Sequence, residues 1–241
     1  VSSVSDDMSN FMSLMYWFMS GRKNKIEKNE KAIFYNELLK MGVYYRDFEC
    51  CKRKIDDEAV ILYSGGTTGN PKGIVLSNLN FNALAMQCHL MCDPAKAGDS
   101  ILSILPIFHG FGLGVSIHTP LYIGMKVILV PDFSPRKFGN LIKKYKPNFI
   151  VGVPTLFEAL INTKLKRDDL ESVTAVICGG DALNQTLRDK VNDFLSSHGS
   201  KAKIRVGYGL TEGSGAVCLS PEHSFADGII GVPFPDTGFK I

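Results

Sequence analysis

From residue 58 onward the chain alternates short apolar runs with stretches whose apolar positions recur every three or four residues. The run Glu58–Tyr63 predicts a buried strand. A Gly/Thr loop follows it, and Ser77 then caps a helix that gathers Phe81, Leu84, Ala85, Cys88, Met91 and Cys92 on one face. Ile101–Leu105 and Lys126–Val130 read as further strands. Ser134 and Pro135 start a helix with Phe138, Leu141, Ile142 and Tyr145 facing inward. The pattern continues with a strand over Asn148–Val153, a helix over Thr155–Thr163 and a strand over Val173–Cys178. Asn184 then caps a helix with Leu187, Val191, Phe194 and Leu195 inward, closed by Gly199, before a last strand at Ala202–Val206.

Strands alternating with helices imply an α/β fold, a mostly parallel sheet with helices on both faces. In such folds ligands sit at the carboxyl ends of the strands, where the informative loops of this sequence fall. The first 57 residues are less regular. Val1–Ser5 resembles the tail of a strand and Gly238–Ile241 the start of one. The expected organisation is therefore the tail of a preceding subdomain with a connecting segment over 1–57 and an α/β subdomain over 58–241, cut at both ends.

With 45% hydrophobic residues in 241, the chain can bury a sizeable core. A net charge of +3 argues against a nucleic-acid binder, and the one dense basic run, Arg22-Lys23-Asn24-Lys25, is broken by Glu27 and Glu30 as in a solvated turn. None of the six cysteines, Cys50, Cys51, Cys88, Cys92, Cys178 and Cys218, has zinc-site spacing. Cys88 and Cys92 flank His89 one helical turn apart on an apolar stripe, which predicts core packing and reduced thiols in a cytoplasmic protein. No apolar run reaches the roughly 18 residues needed to span a bilayer. The richest stretch, Phe11–Met19, reads as a buried helix end or a membrane-touching patch, of which the first is expected.

Chemistry concentrates in Tyr63-Ser-Gly-Gly-Thr-Thr-Gly-Asn-Pro-Lys-Gly73. Gly65, Gly66 and Gly69 let the backbone approach a ligand, and successive N–H groups in such a loop form an anion nest. Ser64, Thr67 and Thr68 add hydroxyls and Lys72 a mobile positive charge, a set suited to polyphosphate. A Walker A loop is excluded, because Pro71 precedes Lys72 and Gly73 follows it. The segment resembles the phosphate-binding signature of the AMP-binding superfamily, which includes acyl-CoA synthetases, firefly luciferase and amino-acid adenylation domains. Gly65 stands where the family usually has Ser or Thr, keeping the backbone donor and losing a hydroxyl.

Three further segments carry the resemblance. In Gly207-Tyr208-Gly209-Leu210-Thr211-Glu212 it implies a tyrosine stacked on adenine, a threonine on the α-phosphate and a glutamate that binds Mg²⁺. Gly179-Gly180-Asp181-Ala182 resembles the adenine-contacting turn, although a plain strand-to-helix turn fits as well. Leu105-Pro-Ile-Phe-His-Gly-Phe-Gly112 resembles the segment beside the carboxylate substrate, so Phe108, His109, Phe111, Gly112 and Gly209 are expected around the acyl pocket. Adenylation domains carry an ammonium-binding Asp at the place of His109, which disfavours an amino-acid substrate. Gly231–Pro235 resembles the segment closing the large domain.

The resemblance implies part of the large N-terminal domain of an adenylate-forming acyl-CoA synthetase, with Lys72, Thr211, Glu212 and His109 as its catalytic residues. ATP, Mg²⁺, coenzyme A and a carboxylic acid, a fatty acid first of all, are the implied ligands. An enzyme loading a carrier protein and a non-catalytic nucleotide-binding module of the same fold are the alternatives. The family's ribose-binding Asp, hinge and small C-terminal domain with its lysine are expected to be missing from residues 1–241. This stretch alone is thus expected to bind nucleotide weakly and to make no thioester.

Overall fold

The structure, a computed structural model, describes residues 8–21, 33–45, 52–64, 70–221 and 228–240. It divides into two units, Val1–Lys52 and Arg53–Ile241. The expected strand tail at Val1–Ser5 and the basic run at 22–25 lie outside the described residues.

The first unit contains α1 (Asn10–Tyr16), which continues as one π-helical turn over Trp17–Gly21, and α2 (Tyr35–Gly42). Neither helix has a buried residue, and Phe11 is 72% exposed. The buried helix end expected at Phe11–Met19 is therefore not found: its apolar side chains face outward, from Met12 and Leu14 to Phe18 and Met19.

The second unit opens with a hairpin, β1 (Glu58–Ser64) and β2 (Lys72–Ser77), paired antiparallel from Glu58↔Ser77 to Ser64↔Lys72. This corrects two expectations. Glu58–Tyr63 is mostly exposed, with Leu62 its one buried side chain, and it lies outside the parallel sheet. The residues after the Gly/Thr loop form a second strand before the helix begins.

That helix, α3 (Asn78–Met91), starts at a reciprocal cap. Ser77 Oγ accepts the Asn80 N–H at 3.3 Å and Asn80 Oδ1 accepts the Ser77 N–H at 2.8 Å, so two orphan donors are satisfied at once. Phe81, Leu84, Ala85 and Cys88 are buried along it, as the periodicity predicts.

The main sheet has seven strands in the order β4-β3-β5-β6-β7-β8-β9. The strands β3 (Ser100–Ser103), β4 (Lys126–Leu129), β5 (Phe149–Gly152), β6 (Ala175–Cys178) and β7 (Ile204–Tyr208) run parallel. Two short strands toward one edge, β8 (Cys218–Leu219) and β9 (Val232–Pro233), run antiparallel. Residues 238–240, where the sequence suggested a new strand, are irregular.

Buried side chains alternate across the sheet as a strand's two-residue period requires. Leu102, Ile150, Val176 and Cys178 point into one core, covered by α5 (Phe138–Tyr145), α6 (Pro154–Ile161) and α7 (Gln185–Ser197). Ile101, Phe149, Val151 and Ile177 point into the other, covered by α3, a π-helix over Phe111–His118 and its continuation α4 (Thr119–Ile123). The helix pair from 111 to 123 was not anticipated. Its glycines, Gly112 and Gly114, suppress the helical signal, but a Cβ on either would overlap Pro106 O or Ser214 O.

Two polar contacts brace this second layer. Buried Arg205 donates from Nε to Ser220 O at 2.7 Å and from Nη1 to Met91 O at 3.0 Å, which satisfies a carbonyl at the C-terminus of α3 with a cation. His118 Nε2 lies 3.2 Å from Asn82 Oδ1, and its ring meets Phe81 edge-on at 5.3 Å.

Helix α5 gives the first test. Phe138 is fully buried and packs edge-on against Phe133 at 5.4 Å. Tyr145, expected to face inward, is 40% exposed with Lys144 over its ring. Phe138→Ala should cost about 3–5 kcal/mol in urea unfolding, and Tyr145→Ala only about 0.5 kcal/mol. Equal losses would place Tyr145 in the core after all.

A second expectation concerns pH. Burial lowers the pKa of His118, so the unfolded chain binds its proton more readily than the folded one. Stability then rises with pH, and the contribution of His118 is lost as pH falls below the unfolded value of about 6.5 toward the lower folded one. The loss between pH 7.5 and 5.5, measured by chemical unfolding, should be smaller in His118→Asn than in the parent. An unchanged slope would rule His118 out as a source.

Candidate active site

The carboxyl ends of β6 and β7 lie side by side, since Cys178 pairs with Val206. Their two turns, Gly179–Ala182 and Gly207–Leu210, therefore share one edge of the sheet. At Gly180 the backbone enters the left-handed region at φ 82°, and Asp181 Oδ1 accepts the Ala182 N–H at 2.7 Å, which pins the turn. Gly179 is packed so closely that a Cβ would meet the Phe111 ring at 3.1 Å and Gly207 O at 3.2 Å.

A third segment reaches the same edge through backbone contact. A Cβ on Gly209 would fall 2.1 Å from Gly215 O, and one on Gly215 only 2.4 Å from the Gly110 carbonyl. These three glycines lay the His109–Phe111 loop directly against the residues that follow β7. His109 Nδ1 accepts the Phe111 N–H at 3.2 Å, an arrangement that puts the proton of a neutral imidazole on Nε2.

Two cavities meet here. The first, about 80 Å³, runs between the sheet and the layer of α3, the π-helix and α4. His109, Phe111, Tyr208 and Gly209 line it together with the buried Cys88, Cys92, Ile101 and Phe149. The second, about 380 Å³, lies over the turns of β6 and β7 and is lined by Gly180–Ala182, Arg188, Gly207–Gly209 and Gly228–Ile230. Gly180, Gly207, Tyr208 and Gly209 belong to both. A strongly apolar cavity joined to one with a larger polar share of its lining is an arrangement for holding two different molecules end to end.

After Leu210 the chain makes a 3₁₀ turn over Thr211–Gly213 that rests against both strands of the β1–β2 hairpin. Thr211 is half-buried and Glu212 exposed. Lys72 is exposed at the loop end of the hairpin, opposite half-buried Ser64. Gly65, Gly66, Thr67, Thr68 and Gly69 lie outside the described residues. Of the expected acyl-pocket residues, His109, Phe111 and Gly209 line the first cavity. Phe108 is 77% exposed and absent from its lining, and Gly112 is buried against Pro106.

Among the described residues no three His, Cys, Asp or Glu side chains gather to hold a metal. Burial first, and then the neighbouring Cys92, pushes the Cys88 thiol up to about 12; burial first, and then Asp181, does the same for Cys178. Both remain protonated thiols of the core, for Cys88 as expected from the helical stripe it shares with Cys92. Sequence reasoning missed Arg188, a buried guanidinium in the wall of the second cavity. Its signal was a charged residue at helical spacing from buried Val191 and Leu195. No described helix is long and apolar enough to cross a membrane.

Comparison with known proteins points the same way. A long-chain-fatty-acid–CoA ligase of Bacillus subtilis is 33% identical over 194 residues, 78% of this chain and 34% of the relative. A probable 4-coumarate–CoA ligase of Dictyostelium discoideum is 31% identical over 77% of this chain and 33% of its own length. The chain thus spans about a third of the curated relatives it matches. Among solved structures, ATP-bound MatB from Rhodopseudomonas palustris superimposes with a TM-score of 0.68 at 26% identity, covering 78% of this chain and 36% of MatB. An anthranilate CoA ligase in complex with anthranoyl-AMP shares the fold with a TM-score of 0.73 at 22% identity, over 88% of this chain and 40% of that one. The parallel sheet accordingly matches part of the N-terminal domain of adenylate-forming ligases. The family model described as AMP-binding enzyme matches residues 17–241, and the chain belongs to that family.

Proposed function

We propose that this chain supplies the nucleotide and acyl sites of an enzyme that activates a carboxylic acid, a fatty acid first of all, to an acyl-adenylate and passes it to coenzyme A. The observation that carries the reading is the junction of the two cavities at Gly180, Gly207, Tyr208 and Gly209. A carboxylate at the mouth of the apolar cavity and an α-phosphorus in the polar one would meet there. Reaction between two bound substrates gains most from such positioning.

In this reading the carboxylate attacks the α-phosphorus of ATP and pyrophosphate leaves; the thiol of coenzyme A then attacks the acyl carbon and AMP leaves. Charge gathers on the phosphoryl oxygens in the first step, so prepositioned donors contribute most. Lys72, Thr67 and Thr68 serve the pyrophosphate and Thr211 the α-phosphate. Ser64 and the glycines 65, 66 and 69 offer the loop backbone. Tyr208, Leu210 and the Gly179–Ala182 turn orient adenine, with Arg188 in the same wall.

Mg²⁺ usually takes one or two carboxylates, waters and substrate phosphates rather than a protein cage, and the exposed Glu212 carboxylate beside Thr211 fits that role. When bound, the ion neutralises charge on the phosphate oxygens. His109, whose Nδ1 accepts the Phe111 N–H, lines an acyl cavity without a carboxylate in its wall. That lining supports acids with uncharged tails over amino acids.

Two experiments bear on this. In calorimetric titrations of the chain, Lys72→Ala should weaken ATP by about 1.5–3 kcal/mol and leave AMP nearly unchanged, because AMP lacks the phosphates that Lys72 serves. Equal losses for both nucleotides would sink the assignment. For the acid, ATP–pyrophosphate exchange by the enzyme carrying this chain should respond to plain fatty or aryl acids and not to amino acids. An amino acid outperforming every plain carboxylate would replace the acyl-CoA reading with that of an adenylation domain.

A further inference from the structure

The first unit presents an apolar helix that the described residues leave uncovered. From Asn10 to Gly21, α1 and its π-helical turn contain no charged residue. Phe11, Leu14, Trp17, Phe18 and Met19 are between 47% and 76% exposed. Successive residues of an α-helix turn by about 100°, so Leu14, Phe11, Met15, Met12 and Tyr16 together cover roughly 200° of the circumference of α1. Asn10 and Ser13 occupy the strip that is left. A helix that faces a protein core, or a groove on a partner, presents a narrower stripe with its opposite side charged. An apolar arc this wide suits a medium that surrounds the helix.

The segment that follows has little with which to cover it. Residues 22–32 carry seven charged side chains, and Ile26 and Ala32 are their only apolar ones. Arg22, Lys23, Lys25, Lys28 and Lys31 are basic, against Glu27 and Glu30. A cationic stretch joined directly to an uncharged apolar helix is complementary to a surface that is anionic outside and apolar within, which describes an anionic bilayer. Tyr16 and Trp17, side chains favoured at the level of lipid headgroups, stand in the last turns before Arg22, where the Trp17 ring meets Phe18 edge-on at 5.0 Å.

Length decides between crossing and lying flat. Seven residues of α1 and five of the π-helical turn reach roughly 18 Å, whereas the hydrocarbon core of a bilayer is about 30 Å thick. The helix is too short to span and long enough to lie in the interface.

We propose that Asn10–Gly21 is a membrane-docking element, which lies in the plane of an anionic bilayer with its apolar arc among the acyl chains. The basic residues from Arg22 onward meet the lipid phosphates. The inference is independent of the reaction proposed above.

Trp17 is the only tryptophan of the chain, so its emission reports on this helix alone. The test titrates the whole chain with vesicles of phosphatidylcholine containing about one-third phosphatidylglycerol, and with vesicles of phosphatidylcholine only. On the anionic vesicles Trp17 emission should shift to the blue and be quenched by brominated acyl chains, with binding to the neutral vesicles weaker by roughly tenfold or more. Replacing Arg22, Lys23 and Lys25 with Gln should weaken anionic binding about fivefold per residue. Leu14→Asp combined with Phe18→Asp, both at exposed positions, should abolish the shift and leave the urea midpoint of the chain in place. Emission unmoved by either vesicle overturns the proposal, even where the chain sediments with lipid, because another surface is then responsible. A blue shift that grows with protein concentration in buffer and ignores vesicles assigns the helix to a second copy of the chain. Vesicle binding by the chain that is lost in the enzyme carrying it assigns the helix to another part of that enzyme. Either of these results overturns membrane docking.

Discussion

The site depends on one steric constraint, the contact of bare backbone at Gly110, Gly209 and Gly215. A side chain on Gly209 would stand 2.1 Å from Gly215 O within the loop after β7, and one on Gly215 would stand 2.4 Å from the Gly110 carbonyl of the loop after β3, separations that real Cβ atoms do not adopt. Because the three approach so closely, the loop after β3 and the loop after β7 behave as one surface. His109 and Phe111 come from the first, Tyr208 to Glu212 from the second. The cavity junction forms where that seam meets the carboxyl ends of β6 and β7.

Beneath the seam, the sheet supplies a rigid floor. Successive residues of β5 and β6 feed opposite cores, Phe149 and Val151 to one face and Ile150 to the other, with Ala175, Val176, Ile177 and Cys178 alternating likewise. A slip of one residue would exchange the two sets, so register is set by both faces at once. Arg205 extends this bracing to the helical layer. Its guanidinium reaches the last turn of α3 from a strand position and also grips Ser220 O. A buried cation satisfied by carbonyls ties the end of α3 to the β7–β8 edge.

The parallel strands and the helices between them were legible because the signal there is local. Asn184 and Ser77 cap the helices they were expected to cap, and the buried stripes of α3 and α7 follow the 3.6-residue period. Readings failed where burial depends on distant parts of the chain. Glu58–Tyr63 has the apolar composition of an interior strand but sits in a two-stranded hairpin open to solvent. Tyr145 has the right spacing to face the core, yet helix α5 ends at Lys146 in a left-handed conformation and its last turn faces water. Helix 111–123 was hidden by glycines whose purpose is close packing. Within the candidate site, Tyr208, Gly180 and His109 were recognisable from motif order. Arg188 was not, because a helical charge announces nothing until the cavity beside it is seen.

The apolar cavity has a consequence for volume. Space enclosed in the folded state and filled with solvent in the unfolded state makes the unfolded form smaller, so hydrostatic pressure favours unfolding in proportion to the void eliminated. A domain that reserves about 80 Å³ between its sheet and its helices therefore carries a built-in compressive weakness on that face. In the opposite core Phe138, Phe157 and Leu160 are wholly buried. An occupant of the cavity would remove the difference between the two faces, and pressure would then act on the domain as it acts on a solid one.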